Sequence, residues 1–362
     1  MIRLLVVDDS ALMRKLLGQI FSAEGDFEIE FARDGAEALK IISTFRPDVV
    51  TLDIHMPLMD GLTCLDRIML EHPCPVVMVS SLSEEGAEET LAALEMGAVD
   101  FIAKPGGAIS LGIDELTPRL VEKVRTAASV RIKRSRRLAE RLRVTRTGPS
   151  SKTIPSRAYQ KSLAAAGIGT SERLGLVLIG TSTGGPPALD AVLSHLPAGF
   201  GWPVVVAQHM PASFTGPLAR RLNRLCAVTV SEVTQQIRLE PGNIYIARGD
   251  ADIIISSRAG SLVAMAAPSD PSYRWHPSVD RMVRSAMSHV PAANLVGVLM
   301  TGMGNDGAAA MADLKAAGGH TIAESEETAV VWGMPGELVR LGGASEIKRA
   351  DEIGLTLLER AC

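Results

Sequence analysis

Twice along its length this chain alternates short apolar runs with stretches whose apolar residues recur at helical spacing, and this restricts the fold more than any other feature. In the first block LLVVDD, FEIEFA, PDVVTLD, CPVVMVSS and AVDFIAK read as strands. ALMRKLLGQIFSAEG, GAEALKIISTF, LTCLDRIML and SEEGAEETLAALEMG read as the helices between them. Strands separated by single helices are joined by crossovers, so neighbouring strands run parallel and helices cover both faces. A (βα)5 unit with a five-stranded parallel sheet is expected over residues 1–122. From about residue 174 a second alternation begins, with LGLVLIG, WPVVVAQ, AVTVSEV, NIYIA, DIIIS, LVAMA, ANLVGVLM and HTIAES as strands. It implies a doubly wound, mostly parallel α/β sheet over 174–362, with a local antiparallel hairpin around 243–265. No internal repeat suggests a solenoid.

The net charge of −4 conceals three blocks. Residues 1–122 carry 9 Lys+Arg against 22 Asp+Glu, residues 123–161 carry 13 against one (Glu140), and residues 162–362 carry 15 against 18. The balances are −13, +12 and −3. A basic linker over 123–173 is therefore expected, a helix extension that turns flexible where Pro, Ser and Gly accumulate. Its charge invites a nucleic-acid reading, but Tyr159 is the only aromatic residue in 123–161, so a stacking platform for single strands is missing. No apolar run approaches the ~20 residues needed to span a bilayer, and acid at Asp8 leaves no signal-peptide core. Cys64, Cys74, Cys226 and Cys362 lack zinc-site spacing and suggest reduced thiols in a cytoplasm.

Strand ends carry the chemistry of the first block. Asp8 and Asp9 end its first strand, Asp53 its third, Ser80 its fourth and Lys104 its fifth. Parallel strands bring these ends to one sheet edge. Three adjacent carboxylates repel one another and call for a cation, and hard oxygen ligands with room for water suit Mg²⁺. A single Asp or Ser there would read as a helix cap; five at five strand ends form a site. These residues resemble a response-regulator receiver domain. The resemblance implies phosphorylation of Asp53 by a histidine kinase, with Asp8, Asp9, Asp53 and the backbone carbonyl of His55 binding Mg²⁺. It makes Ser80 and Phe101 a switch pair and Lys104 the phosphate-contacting lysine.

In the second block the strand LGLVLIG runs into Thr181-Ser182-Thr183-Gly184-Gly185-Pro186. A serine at a Gly-flanked strand-to-helix turn can project its hydroxyl beyond the sheet. The turn alone leaves open a serine nucleophile or an anion cradle, although the spacing of a dinucleotide loop and the lysine of a P-loop are absent. His209 follows the next strand and Asp306 a later one, so all three residues reach one rim. His209 could activate Ser182 while Asp306 fixes its tautomer. Singly, His209 could be a hydrogen-bonded strand-end residue and Asp306 a helix cap.

Together, GTSTGGP, QHMPASFT, HPSVD and TGMGNDG make the chain resemble the chemotaxis protein-glutamate methylesterases. The resemblance implies a Ser182–His209–Asp306 triad, an oxyanion hole using the Met303 amide, and supporting roles for Thr183 and His276. It implies hydrolysis of γ-glutamyl methyl esters on chemoreceptor helices and deamidation of receptor glutamines, with Mg²⁺ serving phosphorylation and no cofactor for ester cleavage. A histidine kinase and chemoreceptors are then the partners of a cytoplasmic monomer, without nucleic acid or membrane insertion. Competing classes are a regulator with a DNA-binding output through 123–161, and a module that binds receptors without turnover.

Overall fold

The computed structural model describes residues 1–104, 113–130, 132 and 175–361. Its first sheet is parallel throughout: β1 (Ile2–Val7), β2 (Phe27–Ala32), β3 (Val49–Asp53), β4 (Val76–Ser80) and β5 (Asp100–Ala103), ordered β2-β1-β3-β4-β5. β3 and β4 are buried at every position, as befits central strands covered on both faces. The helices α1 (Ala11–Glu24), α2 (Gly35–Phe45), α3 (Gly61–Glu71) and α4 (Glu84–Met96) begin on Ser10, Asp34, Asp60 and Ser83. Each of these side chains accepts a backbone N–H three residues on.

The last helix of this unit, α5 (Ile113–Ser129), runs across the boundary expected at residue 122. Leu120, Val121, Val124 and Ala127 are buried in one cluster with Leu4, Phe21 and Val77, and Arg125 pairs with Glu24 and Asp26. The first unit therefore continues to Ser129, because the apolar stripe of the helix persists beyond the point where the charge balance changes sign. The rest of the expected linker, residues 131 and 133–173, lies outside the described residues.

The second unit is built on β6 (Leu176–Thr181), β7 (Val204–Gln208), β8 (Thr229–Val233), β10 (Asn243–Ala247), β13 (Leu295–Leu299), β14 (His320–Glu324) and β15 (Glu346–Lys348). They form one parallel sheet in the order β15-β14-β13-β6-β7-β10-β8. A separate antiparallel sheet joins β11 (Ala251–Arg258), β12 (Ser261–Pro268) and the short β9 (Ile237–Arg238). The hairpin thus spans 251–268, and NIYIA belongs to the parallel sheet. Ile244 to Ala247 are buried consecutively, as in a strand covered on both faces, whereas β11 and β12 are only partly covered. The two-residue turn Ala259-Gly260 has positive φ at both positions and matches the twist of a hairpin.

Six helices cover the sheet: α6 (Gly185–Leu193), α7 (Ala212–Leu225), α8 (Val279–Met287), α9 (Ala308–Ala316), α10 (Met334–Arg340) and α11 (Ala350–Arg360). The chain winds one way from β6 through β7 and returns to β6's other side with β13. Ligand crevices of such sheets open where the strand order reverses, here between the C-terminal ends of β6 and β13.

The two units meet along a seam in which α4 packs on α6 and α7. Phe101 of β5 stacks on Phe214 of α7, with ring centroids 4.3 Å apart and planes 26° apart. Cations across the seam come from the second unit and carboxylates from the acidic first unit. Arg220 faces Glu84 and Glu88, Arg221 pairs with Glu95, and Arg274 lies 2.6 Å from Glu122.

Candidate functional sites

In the first unit the strand order reverses between β1 and β3, which brings Asp8 and Asp9 beside Asp53. Carboxylate oxygens of the three lie within 4.8 Å of one another. Lys104 Nζ sits 2.8 Å from Asp53 Oδ2 and 3.1 Å from Asp8 Oδ2. Burial pushes the Asp53 carboxyl above its ordinary value, against the opposing pull of Lys104 and of the His55 backbone N–H. Burial works to lower Lys104, but its bonds and charge pairing with Asp53 and Asp8 outweigh it and hold the ammonium above the usual range. Two buried carboxylates and the exposed Asp9 fit a small hard cation that retains water ligands. The His55 ring turns away to pair with Glu89 at 3.0 Å, so only its main chain faces the pocket. Ser80 Oγ donates to the carbonyl of Gly86 at the start of α4, and Phe101 lies in the seam.

In the second unit Ser182 follows β6 and Thr301–Gly304 follow β13, on either side of the reversal. Ser182 N–H donates to the Thr301 carbonyl, and Gln208 Nε2 donates to the Ser182 carbonyl. Gly302 is required here: a Cβ on it would lie 2.7 Å from Ser182 Cβ. The Gly302 turn is held from both ends, its N–H by Val331 O and its carbonyl by Met334 N–H. Met303 is carried on this turn.

His209 Nε2 lies 2.8 Å from Asp306 Oδ2, and both side chains are buried. Asp306 does not cap the helix that follows it, α9, whose N-cap is Gly307. Instead it caps α8: Oδ2 also accepts Val279 N–H, and Oδ1 accepts Asp280 N–H and Ser278 Oγ–H. Burial raises the Asp306 carboxyl, but the bond and charge of His209 and the two amides outweigh it and hold it below the ordinary carboxylate range. A carboxylate at Nε2 places the proton there, so Nδ1 is the basic nitrogen, and Nδ1 is buried without a hydrogen-bond partner among the described residues. Ser182 and His209 line one cavity of about 190 Å³, with no direct hydrogen bond between their side chains among the described contacts.

Thr183, Trp275, His276 and Met303 line the same cavity. His276 Nδ1 is 2.9 Å from Asp252, a fully buried carboxylate that also pairs with Arg281 and accepts Ser278 N–H. Trp275 stacks parallel on His209, with centroids 6.0 Å apart. The first unit forms the opposite wall with Phe101, Ile102, Arg119, Glu122 and Lys123. Asp100 reaches the turn that carries Ser182: Thr183 Oγ–H donates to Asp100 Oδ2 at 2.5 Å, while Asp100 Oδ1 accepts from Lys123. Asp100, Asp252, Phe214 and Trp275 join the site without a motif of their own. Trp275 adjoins the HPSVD motif, which is a usable signal. Asp100 and Phe214 act only through the packing of one unit on the other, which no local pattern reveals.

Fold and site together define a receiver-regulated α/β hydrolase. Residues 177–357 match the family model described as CheB methylesterase, and residues 4–112 match the response regulator receiver domain. The chain is 56% identical over 359 residues to protein-glutamate methylesterase/protein-glutamine glutaminase 2 of Rhodopseudomonas palustris, covering 99% of this chain and 98% of that one. It is 54% identical to the corresponding protein 3 of Rhodospirillum rubrum, covering 98% and 94%. Its second unit resembles the crystal structure of the Thermotoga maritima CheB methylesterase catalytic domain, with TM-score 0.50 and 37% identity over 51% of this chain and 98% of that one. The chain belongs to the CheB methylesterase family, the receiver-regulated protein-glutamate methylesterases/protein-glutamine glutaminases of chemotaxis.

Proposed function

We propose that this chain hydrolyses γ-glutamyl methyl esters on the cytoplasmic helices of chemoreceptors, with Ser182 as nucleophile, His209 as base and Asp306 as its orienting carboxylate. The observation that carries this reading is the buried His209–Asp306 pair, whose Nδ1, without a hydrogen-bond partner among the described residues, shares a cavity with Ser182. A serine hydroxyl is a weak nucleophile until a neighbouring base takes its proton. Nδ1 takes that proton as Ser182 Oγ attacks the ester carbonyl, and Asp306 stabilises the resulting imidazolium. The Met303 N–H, on a turn already fixed to Val331 and Met334, supports the oxyanion. His209 returns the proton to the departing methoxide, methanol leaves, and water repeats the sequence on the acyl-enzyme. With a glutamine substrate the leaving group is ammonia. Thr183 and His276 shape the cavity around these atoms.

Regulation runs through Asp53, phosphorylated by a histidine kinase. Asp8, Asp9, Asp53 and the His55 carbonyl would hold Mg²⁺, which when bound offsets the charge of the incoming phosphoryl group. Lys104 then exchanges its carboxylate contacts for a phosphoryl oxygen. Ser80 and Phe101 adjust to the new group, and Phe101 carries the change to Phe214 across the seam. In the docked arrangement the receiver walls the cavity, so phosphorylation raises activity by favouring separation. The work takes place in the cytoplasm, in a monomer. The test is methanol release from methylated receptor membranes, with and without a small-molecule phosphodonor. Release that the phosphodonor increases is expected; no release in either condition overturns the reading.

A further inference from the structure

We infer that Arg274 is a carboxylate subsite at the mouth of the catalytic cavity, taking an acidic side chain of the substrate helix, and that Glu122 fills it in the docked chain as a stand-in for substrate. The inference rests on the esterase reading above and adds a recognition residue to it.

The receiver already presents a helix to this cavity. Arg119, Glu122 and Lys123 lie on one face of α5, at i, i+3 and i+4, and all three line it. Glu122 Oε2 accepts from Arg274 Nη2 at 2.6 Å. The arrangement is thus a glutamate on a helix, seated in a cleft whose substrate is a modified glutamate on a helix. Arg274 is also pre-positioned: its guanidinium lies 5.1 Å over the Trp275 ring, and Trp275 stacks in turn on His209. When Glu122 withdraws, the aromatic face still holds the cation one ring away from the base.

Arg274 differs from the other seam cations. Arg220 and Arg221 do not line the cavity, and Arg221 has Asp190 of its own unit as a partner. Among the described residues the only ion-pair partner of Arg274 is Glu122, so undocking leaves it unpaired. The target ester is uncharged, so the carboxylate that Arg274 reads belongs to an unmodified acidic residue about one helical turn away. A guanidinium fork matches that group bidentately.

The experiment uses the full chain and the variants Glu122→Gln, Arg274→Gln and Arg274→Lys. Two substrates are compared, methylated receptor membranes and the small neutral ester p-nitrophenyl acetate. Without phosphodonor, Glu122→Gln and Arg274→Gln both speed p-nitrophenyl acetate hydrolysis by roughly twofold to fivefold, the range an exposed ion pair allows. With phosphodonor, Arg274→Gln raises KM for methylated receptor about fivefold with little change in kcat, Arg274→Lys recovers only a minor part of that loss because an ammonium keeps the charge without the fork, and Glu122→Gln keeps the parental KM. A receptor KM unaffected by Arg274→Gln, or raised equally by Glu122→Gln, reduces Arg274 to a docking clamp and overturns the inference. A parental chain that cleaves the small ester but releases no methanol from receptor overturns the assignment of receptor methyl esters as substrate, and the subsite with it.

Discussion

Replacing Asp306 by asparagine separates the charge of this residue from its shape. The carboxylate takes four donors: His209 Nε2 and Val279 N–H at Oδ2, Ser278 Oγ and Asp280 N–H at Oδ1. An amide offers one oxygen. With NH₂ in place of Oδ2 it meets Val279 N–H and drives the His209 proton onto Nδ1, the nitrogen that must be basic. With NH₂ in place of Oδ1 it meets Asp280 N–H, while the Ser278 hydroxyl rotates to accept and His209 keeps its tautomer. Either orientation strands one buried N–H, at about 1–3 kcal/mol. The second disturbs fewer groups and is favoured. Asp306→Asn should therefore cost about 2 kcal/mol of stability at neutral pH. It should lower kcat by roughly 10²–10³-fold, less than the ~10⁴ that accompanies a reversed tautomer.

The pH dependence of that loss has a definite sign. Asp306 is held below its ordinary value in the folded chain. Its contribution is complete above the unfolded carboxylate value of about 3.9 and disappears as pH falls through the depressed folded value. The stability gap between parent and variant should narrow in that acid window. Denaturant unfolding at several pH values, with kcat from methanol release, measures both effects. A variant as stable as its parent at neutral pH, or a gap that widens in acid, refutes the four-donor argument. Activity lost as completely as in Ser182→Ala refutes the preferred amide orientation.

Three further outcomes are expected. Ser182→Ala should lower kcat at least ~10⁴-fold while leaving the denaturation midpoint in place, and near-normal methanol release would remove Ser182 as nucleophile. Asp53→Asn should abolish acid-labile labelling by a small-molecule phosphodonor, as should excess chelator with the parental chain; persistent label in either case excludes Asp53 as sole acceptor or the cation requirement. Gly302→Ala sets a Cβ against Ser182 and should lower kcat at least tenfold, with about 1–3 kcal/mol lost to overpacking; unchanged kinetics would show that the nucleophile turn tolerates displacement.

Strand ends made much of this molecule readable in advance. Asp8, Asp53, Ser182 and His209 each end or follow a strand, and parallel sheets gather such residues at one edge, so order along the chain implied proximity. NIYIA misled because a short apolar strand looks the same in a hairpin and in a covered sheet; only its consecutive burial separates the two. The boundary at residue 122 followed charge, whereas the packing of Val124 and Ala127 follows the helical stripe. The order of strands places Asp306 at the same rim as His209, but its capping of α8 depends on two segments distant in sequence. The roles of Asp100, Phe214 and Arg274 arise only when the units dock, and one unit's sequence carries no record of the surface it will meet.

The Phe101–Phe214 stack and the packing of α4 on α6 and α7 also govern how the chain melts. Side chains buried between two units are stabilised only while both are folded, so each unit lends cooperativity to the other. A docked chain should show one calorimetric transition. A phosphodonor that loosens the seam should resolve it into two, the less stable unit melting first. The signal would then be visible in heat capacity alone, with no substrate present, and the activated chain would expose its weaker half to proteases that the resting chain resists.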